Sequence, residues 1–184
     1  AHHSAMKHVV GPRKEIGQKS IFNVLGPLTN PASARRQLMG VYDKKWMLPI
    51  AEVLKELGSE HLFIVHSHDG LDEISIASPT SVVEMKQGKI SEFEICPEDF
   101  GFKTSSLDAL EVSSPEQSLE IAKLALRGEQ EEASAMVAMT AGAALYISDI
   151  ADSLDSGVEL AKDCIKEGGG IIKLNQLVKF ASKL

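Results

Sequence analysis

Apolar residues are spaced in two different ways along this chain, and the spacing changes near residue 113. Before that point, short apolar runs at 36–41 and 61–66 predict strands, and residues 44–57 between them predict an amphipathic helix that ends at Gly58. Strand 61–66 is almost continuously apolar, which is typical of a strand covered on both faces. The order strand, helix, strand favours a parallel pair joined by a crossover. The apolar face of the helix is predicted to contain Leu48, Ala51, Leu54 and Leu57.

The remaining pattern predicts antiparallel strands followed by helices. Alternation over residues 73–77, 81–86 and 89–95 predicts a meander of three strands. Beyond residue 113, the periodicity and cap residues predict helices, of which the second is apolar enough to be buried. These helices cover residues 115–127, 131–151, 155–167 and 172–183. The prediction is one α/β domain with a mixed β-sheet, its strands mostly in the first half and packing helices in the second.

Composition narrows the class of protein. With 184 residues, of which 43% are hydrophobic, the chain can bury one sizeable core and is expected to be a single soluble domain. It has no apolar run long enough to span a bilayer and no secretory signal at its start, so we expect no membrane association and a cytoplasmic location. Cys96 and Cys164 lack the spacing of a metal site or a redox pair, and free thiols are expected.

The net charge of −7 is unevenly distributed along the chain. Residues 1–46 contain eight Lys/Arg against two Asp/Glu, a net charge of +6, which leaves −13 for the remainder. A nucleic-acid groove would spread basic residues further and add aromatic side chains, which make up only 5% here. The distribution favours a small anionic substrate near the basic end and argues against nucleic acid.

The basic region contains an arginine that can bind a carboxylate, followed by a segment with a stiff backbone. The Arg13 guanidinium can hold a carboxylate through two hydrogen bonds, although a lone Arg beside Lys14 is more often a solvated surface charge. The segment FNVLGPLTNP at 22–31 contains two prolines that fix the backbone direction, and Gly26 allows the backbone to approach a flat ligand closely. A structural turn is the alternative interpretation of this segment.

A second segment, DGLDEIS at 69–75, follows the predicted strand 61–66. Asp69-Gly70 indicates a turn, and the carboxylates of Asp72 and Glu73 come just after it. Ligands in parallel sheets gather beyond the carboxyl ends of the strands. On a loop, both carboxylates can reach one Mg²⁺ ion, which prefers a few carboxylates together with water and phosphate oxygens. A polar turn with two solvated acids is the alternative.

These segments together resemble the anthranilate phosphoribosyltransferase family, which belongs to the nucleoside phosphorylase-like transferases. The matching residues are HHSAMKHV at 2–9, the Arg of GPRKEIG at 11–17, FNVLGPLTNP and DGLDEIS. The resemblance implies transfer of the 5-phosphoribosyl group from phosphoribosyl pyrophosphate to the amine of anthranilate in tryptophan biosynthesis, with no acid or base residue. It implies that Asp72 and Glu73 bind Mg²⁺. It assigns anthranilate binding to Arg13, His3, Asn23, Gly26 and Pro27.

The resemblance covers only the carboxyl-terminal part of the family. Residues 1–184 are interpreted as the carboxyl-terminal portion of the catalytic domain, without the amino-terminal helical domain and the glycine-rich loop that binds pyrophosphate. This fragment is expected to be inactive alone, and the homodimer typical of the family is expected to form through the helical domain. Ser4 stands where the family has proline, and His2-His3 could also derive from a purification tag. A pyrimidine nucleoside phosphorylase-like enzyme and a non-catalytic binding relative are the alternatives.

Overall fold

The computed structural model of the chain describes residues 8, 10, 11, 15, 17, 26, 28–30 and 32–183. Within these residues one sheet has the strand order β1 (Arg36–Gly40), β2 (His61–Ser67), β3 (Thr80–Lys86) and β4 (Lys89–Ile95). β1 and β2 are parallel, whereas β3 and β4 are added in antiparallel fashion. The predicted mixed sheet, its early strands and the parallel first pair are confirmed.

Helices connect and cover the sheet. Helix α1 (Met47–Glu56) joins β1 to β2 and is preceded by a 3-10 helix at Lys44–Trp46. Ser114 begins the helical second half by accepting a hydrogen bond from Gln117 N, and Gly128, with φ of 72°, ends the first helix there. The helices of this half are α2 (Pro115–Arg127), α3 (Glu131–Ile147), α4 (Leu154–Lys166) and α5 (Gly169–Ala181), after 3-10 helices at Pro97–Phe100 and Asp108–Leu110. The last helix therefore begins inside the glycine triplet, at Gly169 rather than at residue 172.

Strand β2 is buried on both faces of the sheet, as its apolar run predicts. Leu62 and Ile64 belong to a core cluster that includes residues of α1, whereas Phe63 and Val65 belong to a cluster that includes residues of α3. Successive side chains of a strand point to opposite faces, so a continuous apolar sequence supplies both clusters. The predicted burial of the second long helix, α3, is confirmed by residues such as Met139 and Ala143.

Helices α3 and α4 cross at very short range through two glycines. A Cβ atom added to Gly157 would lie 2.3 Å from the carbonyl oxygen of Gly142. One added to Gly142 would lie 2.6 Å from the backbone nitrogen of Val158. The absence of both side chains is what allows the helix backbones to approach each other here.

The prediction of a strand at 73–77 was wrong. This segment lies in a buried loop whose backbone is hydrogen-bonded mainly to side chains: Ser75 N donates to Thr80 Oγ1 at 3.1 Å, and Ala77 N donates to Ser75 Oγ at 2.9 Å. Ile74 and Ile76 are both buried and produce the alternating pattern. The alternation of apolar residues in this segment therefore reflects burial and not strand pairing. Backbone N–H groups that would bond to a neighbouring strand donate to side-chain hydroxyl groups instead.

The predicted apolar face of α1 was half wrong. Leu48 and Leu57 are 39% and 64% exposed, although Ala51 and Leu54 are buried as expected. The buried residues of α1 are Met47, Ile50, Ala51 and Leu54. These residues lie at i, i+3, i+4 and i+7, the spacing of one helical face, whereas the predicted residues stand at a constant interval of three and drift around the helix. Leu57 also lies beyond the end of the helix.

Two predictions from composition can be compared with the described residues. Cys96 and Cys164 are free, as expected. None of the helices in residues 32–183 combines the length and the apolar character needed to cross a bilayer.

Candidate functional site

The candidate site lies at the carboxyl ends of β1 and β2. Because the two strands are parallel, both of these ends lie at the same edge of the sheet. The segment of residues 68–79, here called the acidic loop, leaves β2 at this edge and returns to β3. It contains Asp72 and Glu73, both of which are exposed. The sequence prediction that the two carboxylates sit on a loop beyond a buried strand is therefore correct.

Gly40, the last residue of β1, forms the surface against which the acidic loop packs. A Cβ atom at Gly40 would lie 1.6 Å from the carbonyl oxygen of Asp72, 2.5 Å from its carbonyl carbon and 3.1 Å from its Cβ atom. Any side chain larger than hydrogen would therefore overlap the backbone of the loop. This contact fixes Asp72 directly on the end of β1.

Hydroxyl groups and one carboxylate hold the rest of the acidic loop. Ser67 N donates to Leu71 O at 2.9 Å, and Ser67 Oγ lies 2.7 Å from Ser78 Oγ. The Asp69 carboxylate accepts hydrogen bonds from Ser75 Oγ at 2.5 Å and from Leu71 N at 3.1 Å. The loop is thus connected across its width as well as at its two ends.

The environment of Asp69 favours its charged form. Burial alone would raise the pKa of Asp69, but hydrogen bonds outweigh this effect and lower it. The donors are the Ser75 hydroxyl and the Leu71 backbone, with smaller contributions from Ser67 and Ser78. Asp69 is therefore an ionised carboxylate whose two oxygens are both engaged within the loop.

Glu73 has the opposite behaviour. Desolvation by the surrounding protein raises the pKa of Glu73, and the charge of the adjacent Asp72 raises it further. Its side chain remains accessible and borders a largely apolar groove of about 600 Å³ between the acidic loop and helices α2 and α3. A cation placed between the two carboxylates would relieve their mutual repulsion.

The chemistry of this pair fits Mg²⁺ shared with a ligand. Among the described residues, no three His, Cys, Asp or Glu side chains are grouped so that they could hold a metal ion. Asp72 and Glu73 alone do not complete a coordination shell. Mg²⁺ commonly uses one or two carboxylates and fills its other positions with water and phosphate oxygens, which matches a pair of exposed acids at the edge of a sheet.

The structure describes only one of the five residues that are predicted to bind anthranilate. Arg13, His3, Asn23 and Pro27 lie outside the described residues. Gly26 is exposed, and its carbonyl oxygen accepts a hydrogen bond from Thr29 N at 3.2 Å. A Cβ atom at Gly26 would meet none of the described residues within 4 Å. The binding role of all five residues stays a prediction.

Two residues of the site were missed from the sequence. Asp69 was interpreted only as part of a turn signal, although it stands in the same motif as Asp72 and Glu73. Gly40 looks like an ordinary strand residue, and nothing near it in the sequence indicates that a distant loop will pack on its Cα atom. A glycine at the end of a buried strand is a weak signal of close backbone approach.

Comparison with known proteins matches the chain to a family of transferases. Residues 1–171 match the family described as "Glycosyl transferase family, a/b domain". Anthranilate phosphoribosyltransferase from Marinomonas sp. (strain MWYL1) is 54% identical over 181 residues, which cover 97% of this chain and 52% of that protein. The chain thus spans about half the length of the curated relatives it matches.

Solved structures of anthranilate phosphoribosyltransferases are also similar to this chain. The crystal structure of anthranilate phosphoribosyltransferase from Thermus thermophilus has a TM-score of 0.88 and 37% identity, covering 97% of this chain and 53% of that one. The enzyme from Saccharomyces cerevisiae in complex with PRPP and Mg has a TM-score of 0.86 and 27% identity, covering 99% and 53%. The yeast enzyme has also been solved with 4-fluoroanthranilate.

Proposed function

The chain belongs to the glycosyl transferase family, a/b domain, and on that premise we propose that it is the carboxyl-terminal part of an anthranilate phosphoribosyltransferase. In the proposed reaction, the anthranilate amine forms a bond to C1 of the ribose, the bond from C1 to the pyrophosphate oxygen breaks, and the amine loses a proton. The observation that carries the proposal is the exposed Asp72–Glu73 pair at the carboxyl ends of the parallel strands β1 and β2. The names of the similar proteins support it.

Asp72 and Glu73 would hold Mg²⁺. When bound, Mg²⁺ would neutralise the charge that develops on the departing pyrophosphate. Desolvation by the surrounding protein and, to a smaller extent, the charge of Asp72 raise the pKa of Glu73, and a bound cation would favour its ionised form. The yeast relative solved in complex with PRPP and Mg supports Mg²⁺ as the ion.

The acceptor would be bound by residues of the basic amino-terminal region. Arg13 would hold the anthranilate carboxylate through two charge-assisted hydrogen bonds. His3, Asn23, Gly26 and Pro27 would line the slot for the aromatic ring, and a glycine at position 26 would let the ligand lie close to the backbone. The aromatic amine is weakly basic, so the reaction needs positioning more than proton abstraction.

Binding of the pyrophosphate group and dimerisation would depend on sequence that corresponds to the other half of the relatives, which this chain does not span. We propose that this half contributes a helical domain and a glycine-rich pyrophosphate loop. The chain alone would then be inactive, and a homodimer would form through the helical domain. The substrates are proposed to be anthranilate and phosphoribosyl pyrophosphate, in a cytoplasmic enzyme that binds neither nucleic acid nor membrane.

The proposal is tested by following anthranilate fluorescence with phosphoribosyl pyrophosphate and Mg²⁺. We expect no decay with the 184-residue chain alone. Decay is expected with the full-length polypeptide that contains it, and with a fusion of the chain behind the amino-terminal half of the Marinomonas relative. Absence of decay in both longer proteins, or turnover of a pyrimidine nucleoside with phosphate instead, would refute the assignment.

Variants of the full-length polypeptide test the individual roles. Asp72→Asn is expected to raise the Mg²⁺ concentration for half-maximal rate about tenfold or more, whereas Asp152→Asn, at another exposed acid, is the matched control and should leave it unchanged. Arg13→Ala is expected to raise the KM for anthranilate about tenfold or more. An unaltered Mg²⁺ titration or an unaltered KM would remove the corresponding residue from the site.

A further inference from the structure

We propose that Gly40 and Asp69 are positioning residues that set where the Asp72–Glu73 pair stands relative to the end of β1. Neither residue would contact the metal ion or the substrate. Each would act on the acidic loop. Gly40 would do so by leaving room for the carbonyl group of Asp72, and Asp69 by accepting hydrogen bonds from two other residues of the loop. The inference rests on the proposed function, because its consequence is the correct placement of a divalent cation against the phosphate oxygens of the donor.

Gly40 acts through space rather than through backbone conformation. It is not among the residues with positive φ, so another amino acid could adopt its backbone geometry. The added Cβ atom, however, would lie 1.6 Å from Asp72 O, whereas a carbon and a carbonyl oxygen ordinarily stand about 3.3 Å apart or more. Relief of this overlap needs a movement of about 1.7 Å, the difference between these two distances.

The acidic loop, and not β1, would have to make this movement. Gly40 pairs with Val65 of β2, and the following residue, Val41, donates its N–H to Val65 O at 3.0 Å. Met39 and Val41, on either side of Gly40, are buried in the core cluster that includes residues of α1. Asp72 and Glu73 are exposed on the outer side of the contact. The strand is therefore held from several directions, and the carboxylates are the groups free to shift.

Asp69 constrains the pair from both sides along the chain. One carboxylate oxygen accepts from Leu71 N, the residue before Asp72, and the other accepts from Ser75 Oγ, two residues after Glu73. Ser75 is itself fixed, because it is buried and its backbone N–H donates to Thr80 Oγ1 at 3.1 Å. The carboxylate thus bridges the two ends of the short segment that carries the pair.

The two constraints predict a specific defect. Substitution of either residue should misplace both carboxylates without removing them, so metal binding should weaken while the protein stays folded. Loss of a partner that orients metal ligands typically lowers metal affinity about 10–100-fold. A displacement of about 1 Å at a reacting centre can have an effect of similar size.

The test uses Mn²⁺ as a probe, titrated by electron paramagnetic resonance into the full-length polypeptide in the presence of pyrophosphate. We expect Gly40→Ala and Asp69→Ala to raise the Kd for Mn²⁺ about tenfold or more. Asp69→Asn keeps the shape of the side chain and one acceptor oxygen, so it should lose less Mn²⁺ affinity than Asp69→Ala. Ile50→Val, a mild core change on the opposite side of β1, is the control for lost stability and should bind Mn²⁺ normally. Asp72→Asn gives the reference for loss of a ligand.

The outcomes separate this inference from the proposed function. If Asp72→Asn loses Mn²⁺ but Gly40→Ala and Asp69→Ala bind it like the parent protein, the positioning role is overturned. If the parent protein binds no Mn²⁺, the metal role under the proposed function fails. Hydrogen exchange at residues 68–79 then decides the positioning role: faster exchange in Gly40→Ala and Asp69→Ala, but not in Ile50→Val, supports it, and unchanged exchange overturns it. If Gly40→Ala does not fold, the Mn²⁺ affinity and the hydrogen exchange of Asp69→Ala decide the positioning role.

Discussion

Substitution of Gly157 by alanine should destabilise the domain by separating α3 from α4. The new Cβ atom would lie 2.3 Å from Gly142 O and 3.1 Å from Gly142 C. These are backbone atoms in the middle of a buried helix, so they cannot rotate away as the end of a side chain can. The two helices would need to move apart by about 1 Å to restore an ordinary contact of about 3.3 Å.

The magnitude follows from two opposing effects. Overpacking of a close-packed interior costs about 1–3 kcal/mol, and a clash with backbone belongs at the upper end of that range. Replacement of a helical glycine by alanine returns about 1 kcal/mol through backbone entropy. We therefore expect a net loss of about 2 kcal/mol in the free energy of unfolding. For a domain of this size the loss corresponds to a fall in Tm of about 4–8 °C.

A matched substitution separates the clash from the change in helix propensity. A Cβ atom at Gly170 in α5 would lie 2.8 Å from Leu126 Cδ2, the flexible end of a side chain. Gly170→Ala should therefore stay within about 1 kcal/mol of the parent protein, because the propensity gain offsets a contact that Leu126 can relieve. Both variants can be measured by urea unfolding followed by circular dichroism at about 222 nm, where helical signal dominates.

The double substitution gives a stricter test of the mechanism. A Cβ atom at Gly142 would meet Val158 at 2.5–2.6 Å across the same crossing. One separation of the helices relieves both clashes, so Gly142→Ala with Gly157→Ala should lose less stability than the sum of the single variants. Strict additivity, or a Gly157→Ala protein as stable as Gly170→Ala, would refute the explanation.

Two further predictions concern hydrogen bonds away from the site. Tyr146→Phe removes a hydroxyl that donates to Glu84 Oε1 at 3.0 Å and accepts from Lys86 Nζ at 3.2 Å, and it should cost about 1.5 kcal/mol by urea unfolding; an unchanged midpoint would show that these contacts contribute nothing net. Ser114→Ala removes the side-chain acceptor for Gln117 N at 3.2 Å and should cost about 1 kcal/mol, whereas Ser114→Asp should retain most of the stability; equal losses in both would exclude a capping role.

The order and type of most elements follow from local sequence patterns. Hydrophobic periodicity acts over a few residues, and it was sufficient for β1, β2, the buried helix α3 and the helices that begin after good cap residues. The same local information located Asp72 and Glu73 on a loop beyond a buried strand. Short motifs of specific composition also carried the family resemblance that the comparisons bear out.

Features that depend on contacts between distant residues could not be predicted from local patterns and became clear from the fold. Residues 73–77 alternate like a strand, but Ser75 and Thr80 supply its hydrogen bonds, so the segment packs as a loop. Gly40 acquires its importance only when the acidic loop lies on it. Local patterns indicate the type of each element and most of its buried residues, whereas the three-dimensional packing decides what each residue touches.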